Sequence, residues 1–533
     1  MLLGVYALLF VLLTIYIANK VYLSPLSKIP ASHWSARFSP IWSLWVRYRG
    51  TELSELVKAH RKHGPIVQVG PHDISISSYQ GGIRKVYDAG FGKPSQFYSF
   101  FNYYGNQNAF TSLDGRAHGL RRRRSAALYS KAALMESHQM HNISIKIMYT
   151  DLYPLLKSAA ASGVQADALD ISYRLCSDYI SSFLLGYGNG TAYLSKEQKY
   201  INEWRFHYDN YSCHECFFPQ EMPFLYNILK NVGIDLLPRS YWTSKKFLET
   251  WLRKMESKAD ETIRQRSKMK HSIPPENQPV VYETIKLAVK KDSPHLDEQT
   301  QQAEIGSEMF DHISASREVL GLVLSYTFWH LAQNPHAQRR VREELIEAGI
   351  DLTSAPKLAD YSTDLSTALP VALGKLKFLE AVIQESLRMR PTSTPLPRIT
   401  PSDRAVSIAG IDNIPPNTRV NAFQWFVHRD PTKWDRVDEW IPERWLGREH
   451  VSQKDRREDV LWALASGPRI CLGSNWTYYA MRYIIAVTCF NFEFEALSGK
   501  PRNCWPGSSQ DLLPIKIKSL IASENEDIKR EIA

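Results

Sequence analysis

Near its carboxyl end the chain runs Leu464-Ala465-Ser466-Gly467-Pro468-Arg469-Ile470-Cys471-Leu472-Gly473. A cysteine between two glycines, with an arginine two residues ahead, calls for a tight loop wrapped around a sulfur. Such a loop can aim backbone N–H groups at the sulfur and temper the charge of a thiolate that ligates a metal. A helix beginning just after Cys471 would bring its positive end to the same place. The bland alternative is a buried free thiol, the usual fate of a single cysteine. The glycine and arginine spacing favours the ligand.

The opposite end is as informative. Leu2 to Ala18 carries no charged side chain, and Val21 to Leu23 extend the apolar run past Asn19 and Lys20. A helix rises about 1.5 Å per residue, so about 20 residues cross a bilayer core. A cleaved signal peptide is the rival, but no basic stretch precedes the run and no small-residue cleavage site follows it. Lys20, Lys28 and Arg37 all lie after the span, which keeps the following domain in the cytosol. Pro25 and Pro30 end the helix in a stiff hinge. The expected organisation is an anchor over 1–23, a proline-containing hinge and linker over 24–50, and one large domain over 51–533.

Hydrophobic residues make up 44% of the 533 and charged ones 23%, which excludes a disordered chain. The net charge of +10 suits an anionic membrane or an acidic protein. No nucleic-acid-binding motif accompanies it, so no nucleic acid partner is expected. The cysteines 176, 213, 216, 471, 489 and 504 are sparse and irregular, unlike a disulfide framework, and fit a reducing compartment. The N-x-S/T triplets at Asn142, Asn189, Asn210 and Asn475 are read as chance. Cys213-His214-Glu215-Cys216 resembles half a zinc site, but no second pair with suitable spacing lies near, so it is read as incidental.

Helical periods dominate from about residue 115 to 390. Earlier, Thr51 to His63 reads as an amphipathic helix. Ile66–Val69 and Ile74–Ser77 alternate around Gly70-Pro71 as a hairpin. Ser307 to Gln333 forms a long apolar helix stopped by Asn334-Pro335, followed by a charged helix over Gln338 to Ala348. Met269 to Pro279 is polar and proline-rich, an exposed loop. Short strands are expected at Ala405–Ile408 and Arg419–Phe423. The fold class is mainly α with small β-sheets (α+β).

The cysteine segment resembles the F-x-x-G-x-R-x-C-x-G signature of cytochromes P-450, with Leu464 in place of the phenylalanine that shields the thiolate. Glu385-Ser386-Leu387-Arg388 matches that family's E-x-x-R, whose spacing puts both side chains on one helical face. Pro442-Glu443-Arg444-Trp445 matches its P-E-R-F/W element, whose arginine completes a buried structural triad. The landmarks fall in family order along nearly the whole chain. The resemblance implies the cytochrome P-450 fold and haem b with Cys471 as its axial thiolate. It places Arg469, Arg398, His118 and Arg122 on the haem propionates. Of Arg121 to Arg124, Arg122 is expected inward and the others are expected to help dock an acidic reductase.

The long helix carries Ala315-Ser316-Arg317-Glu318-Val319-Leu320 where the family has [A/G]-G-x-[D/E]-T-T. The acid is kept as Glu318, but Val319 replaces the threonine whose hydroxyl holds a proton-relaying water. Ser316, a bound water or a substrate hydroxyl could take over that relay. Alternatively, the chain is a haem-thiolate isomerase or dehydratase that needs no reductive oxygen activation. A haem protein that senses a ligand without turnover is the rival from outside catalysis. The monooxygenase reading leads.

Aromatic residues Phe97, Tyr98, Phe100, Phe101, Tyr103 and Tyr104 precede the His118 helix, where the family places a substrate loop. Trp204, Phe206, Tyr208, Phe217 and Phe218 fall where a pocket roof is expected, although such clusters serve cores equally well. Asp311 and His312 could line the pocket or pack the helix. The resemblance extends to filamentous-fungal members that tailor secondary metabolites. It implies a lipophilic substrate, an endoplasmic-reticulum anchor and electrons from NADPH-cytochrome P-450 reductase, since no flavin or nicotinamide domain is present.

Overall fold

The computed structural model describes residues 2–268, 273–391, 396–446, 461–497, 513–520 and 528. Helix α1 (Leu2–Ala18) is apolar on every side and continues through a π turn, Asn19–Leu23. The 20-residue stretch Gly4–Leu23 has a mean hydropathy of 1.8 and buries none of its residues, touching the domain near its end, where Tyr16 donates to the Phe38 carbonyl and Lys20 meets His72. The Ser24 hydroxyl then accepts the Leu26 N–H, and Pro25 opens a short turn that redirects the chain.

The hairpin expected around Gly70-Pro71 forms, as β1 (Ile66–Gly70) and β2 (Asp73–Ile76). β2 pairs in parallel with Arg419–Ala422, which in turn pairs antiparallel with Arg398–Ile399, giving a four-stranded sheet. This sheet delivers Arg398 to the centre of the molecule. A second sheet joins Ala166–Asp167, Pro514–Ser519 and Phe492–Ala496. A small hairpin of Val406–Ile408 and Ile411–Ile414 is the third.

Helices build the rest. α2 (Gly115–Arg123) is capped by Asp114, whose carboxylate accepts the Ala117 N–H at 2.8 Å. α3 (Ala168–Leu185) is buried almost throughout. The long helix starts earlier than its apolar pattern suggests. It consists of α4 (Glu298–Ala315), a π turn (Ser316–Leu320) and α5 (Gly321–Gln333). The polar first turns carry no apolar periodicity, so Asp297, which caps Thr300, marks the start instead. Within the stretch expected to be an exposed loop, residues 269–272 lie outside the described residues, but Pro275 and Glu276 are buried. Glu276 accepts a hydrogen bond from Asn142, itself buried and so closed to glycosylation. Cys504 lies outside the described residues.

The acidic and basic groups of the E-x-x-R turn meet on α6 (Lys377–Met389). Arg388 grips Glu385 at 2.9 and 2.8 Å, with both side chains fully buried. Arg444 adds a contact of 3.0 Å, the Trp445 indole one of 2.9 Å and the Ile441 N–H one of 2.8 Å. Arg388 also donates to the carbonyls of His428, Val437 and Glu439. An irregular segment with little hydrogen bonding of its own is thereby pinned to a helix. Removing one partner leaves a buried charge unmet, at a cost of about 3–5 kcal/mol. Arg388→Met should therefore lower thermal stability by about that amount, read by circular dichroism melts, whereas a surface pair such as Lys58–Glu55 should be nearly neutral when broken.

Candidate functional site

Two surfaces face each other across the interior. On the long helix, which is otherwise mostly buried, Ala315 and Val319 are exposed and Asp311 is half-buried. Spaced four apart, these residues form one stripe. Across from it stands Cys471, an exposed residue whose thiol is nevertheless surrounded by protein. Burial pushes the Cys471 thiol up, and the Asp311 carboxylate adds to that effect. Stripe and sulfur therefore border a common internal space.

The loop that presents the sulfur is tightly built. Cys471 N–H donates to the Leu464 carbonyl at 2.9 Å, and Ile470 N–H donates to Gly467 at 3.1 Å. Gly467 has φ +70°, and a Cβ there would stand 2.5 Å from the Tyr87 carbonyl oxygen and 2.7 Å from the Asp88 Cα. Ala465 also takes a left-handed conformation, φ +58°. The Gly473 N–H and the Arg122 guanidinium both favour the thiolate. Helix α7 (Ser474–Asn491) starts immediately after.

Cations gather along one edge of the space. Arg398 donates to the Tyr98 hydroxyl at 2.6 Å and the Pro397 carbonyl at 3.1 Å. Arg469 donates to the carbonyls of Ser112 at 2.6 Å and Leu113 at 3.0 Å. Lys93 donates to the Phe110 carbonyl and lies 4.4 Å from the Tyr98 ring centre. His118 completes the group. Burial, then Arg469 and Lys93, depress its imidazole to about 4. Burial and the neighbouring arginines likewise hold the Lys93 ammonium well below its ordinary value. Cations that repel one another in a desolvated place require an anion among them. The two carboxylates of a haem, above an exposed cysteine and below a stripe of small residues, fit this donor set.

Several expectations need correction. Arg122 does not join that edge: its guanidinium donates to the Ile470 carbonyl at 2.7 Å, beside the cysteine. Arg121 and Arg124 are not free for a partner. Arg124 pairs with Asp292 at 3.0 Å and Glu304 at 2.9 Å, and Arg121 lies 3.5 Å from Glu304. α2 ends at Arg123, and the turn that follows swings Arg124 inward, leaving Arg123 exposed. Ser316 is off the stripe, its hydroxyl donating to the Cys176 carbonyl on α3 at 3.4 Å. Glu318 is held by Arg317, which the rings of Tyr173, Trp204 and Tyr208 enclose at 4.4–4.8 Å. Neither residue shares the face of Ala315 and Val319.

The aromatic clusters divide. Tyr103 packs on Phe310 at 4.3 Å, Phe100 stacks on Tyr211, and Tyr208 hydrogen-bonds Ser314 at 2.6 Å, so these converge on the long helix. Phe206 is 60% exposed and turned outward. Phe217 and Phe218 pack on Tyr48. His312 packs against Tyr129, 3.1 Å from its hydroxyl, whereas Asp311 lines the space. Cys213 and Cys216 have sulfurs 3.5 Å apart, while His214 turns to the Tyr48 ring. Lys93 escaped sequence reasoning because nothing in Gly92-Lys93-Pro94 reports a long-range partner. Asp311 and His312 are equal candidates in the sequence, and the exposure of Ala315 and Val319 is what assigns Asp311 to the space. Gly467→Ala should cost roughly 3 kcal/mol, from the strained φ and the clash with Tyr87, lowering the melting temperature by several degrees in a thermal scan.

A family model described as Cytochrome P450 matches residues 37–518. "Cytochrome P450 monooxygenase cpaH" of Aspergillus oryzae is 24% identical over 504 residues, covering 91% of this chain and 86% of its own length. "Trichothecene C-4 hydroxylase" of Trichoderma arundinaceum is 24% identical, covering 89% and 88%. "Cytochrome P450 monooxygenase olcB" of Penicillium canescens is 25% identical, covering 92% and 91%. With its landmark residues brought together as described and a match along nearly its full length, this chain belongs to the cytochrome P-450 family of monooxygenases and resembles members that act in fungal secondary metabolism.

Proposed function

We propose that this enzyme is anchored in the endoplasmic reticulum membrane by Gly4–Leu23, with its catalytic domain in the cytosol, and oxidises a lipophilic intermediate of fungal secondary metabolism. Electrons would come one at a time from NADPH-cytochrome P-450 reductase. The observation that carries this reading is the exposed Cys471 set opposite the Ala315–Val319 stripe, with buried cations along one edge. When bound, haem supplies the power to activate dioxygen, and thiolate donation tunes it.

The chain's own residues have separate tasks. Cys471 would hold the haem iron through its thiolate, whose charge the Gly473 N–H and Arg122 favour. Arg469, Arg398, His118 and Lys93 would neutralise the propionates. Arg469 donates to the Ser112 and Leu113 carbonyls, and one terminal nitrogen of Arg398 donates to the Tyr98 hydroxyl and the Pro397 carbonyl, which fixes the direction of both side chains. Small Ala315 leaves room for a reactant over the ring, and Val319 supplies a dry wall there. Tyr103, Phe100 and Tyr211 pack together as an apolar wall that would border an apolar substrate. With Ser316 turned to Cys176, a water or a substrate hydroxyl is left as the source of relayed protons. Beside the cysteine loop, a recess of about 310 Å³ lined by Lys131, Leu464, Ile470 and the Arg482–Glu380 pair would give a reductase a largely apolar footing with Lys131, unpaired among the described residues, as its cation.

One oxygen atom would enter the substrate and the other leave as water, on two electrons and two protons. The test uses the metabolite that accumulates when the gene is deleted in its host. Incubated with the enzyme, reductase, NADPH and ¹⁸O₂, it should yield a product carrying one labelled oxygen, and none without NADPH. Product formed at an undiminished rate without NADPH or oxygen would contradict the reading and point to an isomerase or dehydratase.

A further inference from the structure

Acidic side chains on the long helix are nearly all spoken for. Glu304 pairs with Arg124 at 2.9 Å, Glu308 accepts the Ala109 N–H at 3.1 Å, and Glu318 is held by Arg317. Asp311 differs. Among the described residues, no hydrogen bond or ion pair engages its carboxylate. It stands on the Ala315–Val319 stripe, one turn toward the amino end, and faces the same space as Cys471. Lys93 is the cation that acts on it, but that ammonium is turned to the Phe110 carbonyl and the Tyr98 ring, along the edge given to the propionates. Burial, with Glu308 behind it, pushes the Asp311 carboxyl up to about 8. The fold therefore leaves a carboxyl without a hydrogen-bonding or ion-pair partner on the wall of this space, mostly protonated near neutral pH and able to ionise against a cation that a ligand brings.

The surrounding surface indicates what kind of ligand that is. Tyr103 lies beside Asp311, its ring 4.3 Å from that of Phe310 and 6.0 Å from that of Tyr211. A packed aromatic wall next to a carboxyl suits an apolar body that bears a cation, which gains apolar contact and the ion pair together. We propose that Asp311 is a specificity-determining residue that binds a protonated amine on an otherwise apolar, ring-containing substrate. The proposal rests on the internal space being the substrate site above the haem.

The experiment compares two ligands of one shape on the purified holoenzyme by titration of its Soret band. They are 2-(2-naphthyl)-N,N-dimethylethylamine, protonated at neutral pH, and its carbon isostere 2-(3-methylbutyl)naphthalene. The parent enzyme should bind the amine at least about tenfold more tightly than the isostere, the scale of a charge-assisted hydrogen bond. Asp311→Asn should bring that ratio close to one, and Asp311→Glu should restore part of it. A parent enzyme that binds both equally, or a ratio that survives in Asp311→Asn, overturns the proposal while leaving the haem site standing. A parent protein that takes up no haem overturns the site reading itself, and this inference with it.

Discussion

Lys93, Arg398, Arg469 and His118 arrive from four separate parts of the chain and meet along one edge of an internal space, where burial and the neighbouring arginines make Lys93, Arg469 and His118 harder to ionise. No stable domain gathers cations in a desolvated place for their own sake. The arrangement becomes favourable once two carboxylates lie among them, so stability and cofactor binding are coupled: the bound ring would relieve a repulsion the empty fold must carry. The surrounding architecture serves that convergence. The four-stranded sheet brings Arg398, the capped start of α2 brings His118, and the glycine turn at Gly467 brings Arg469 and Cys471.

The long helix gives the other wall, and its local irregularity sets the chemistry. The π turn at Ser316–Leu320 rotates the following residues relative to a regular helix, a departure often found at functional sites. Ser316 faces α3, and Val319 faces the space where a threonine would place its hydroxyl. Valine keeps the shape of threonine but offers no hydrogen bond. The oxygen side is therefore drier than the family pattern, and the polar character of the space resides in Asp311 instead.

Much of this was legible in the sequence, for reasons that differ by residue. Glu385 and Arg388 are three apart on one helix, so their meeting is local, and the Pro442–Trp445 element travels with them. The cysteine loop is equally readable, because Gly467 reports a left-handed turn with backbone packed against it that other residue types tolerate poorly. Arg121 and Arg124 were misread because a run of like charge resembles a solvated face, while their partners Glu304 and Asp292 lie far along the chain. Lys93 was missed for the same physical reason. The contact of Ser316 with the Cys176 carbonyl could not be read from the sequence, because that partner lies 140 residues away on α3. Asp311 was noticed, but only the tertiary exposure of Ala315 and Val319 separates its direction from that of His312.

The central claim is that the sulfur of Cys471 is the axial ligand of a haem held by the adjoining cations. Reducing the purified protein under carbon monoxide tests it most directly. The account requires a red-shifted Soret band in the parent and its loss in Cys471→Ser. A parent without that band, or a serine variant that keeps it, would contradict the account.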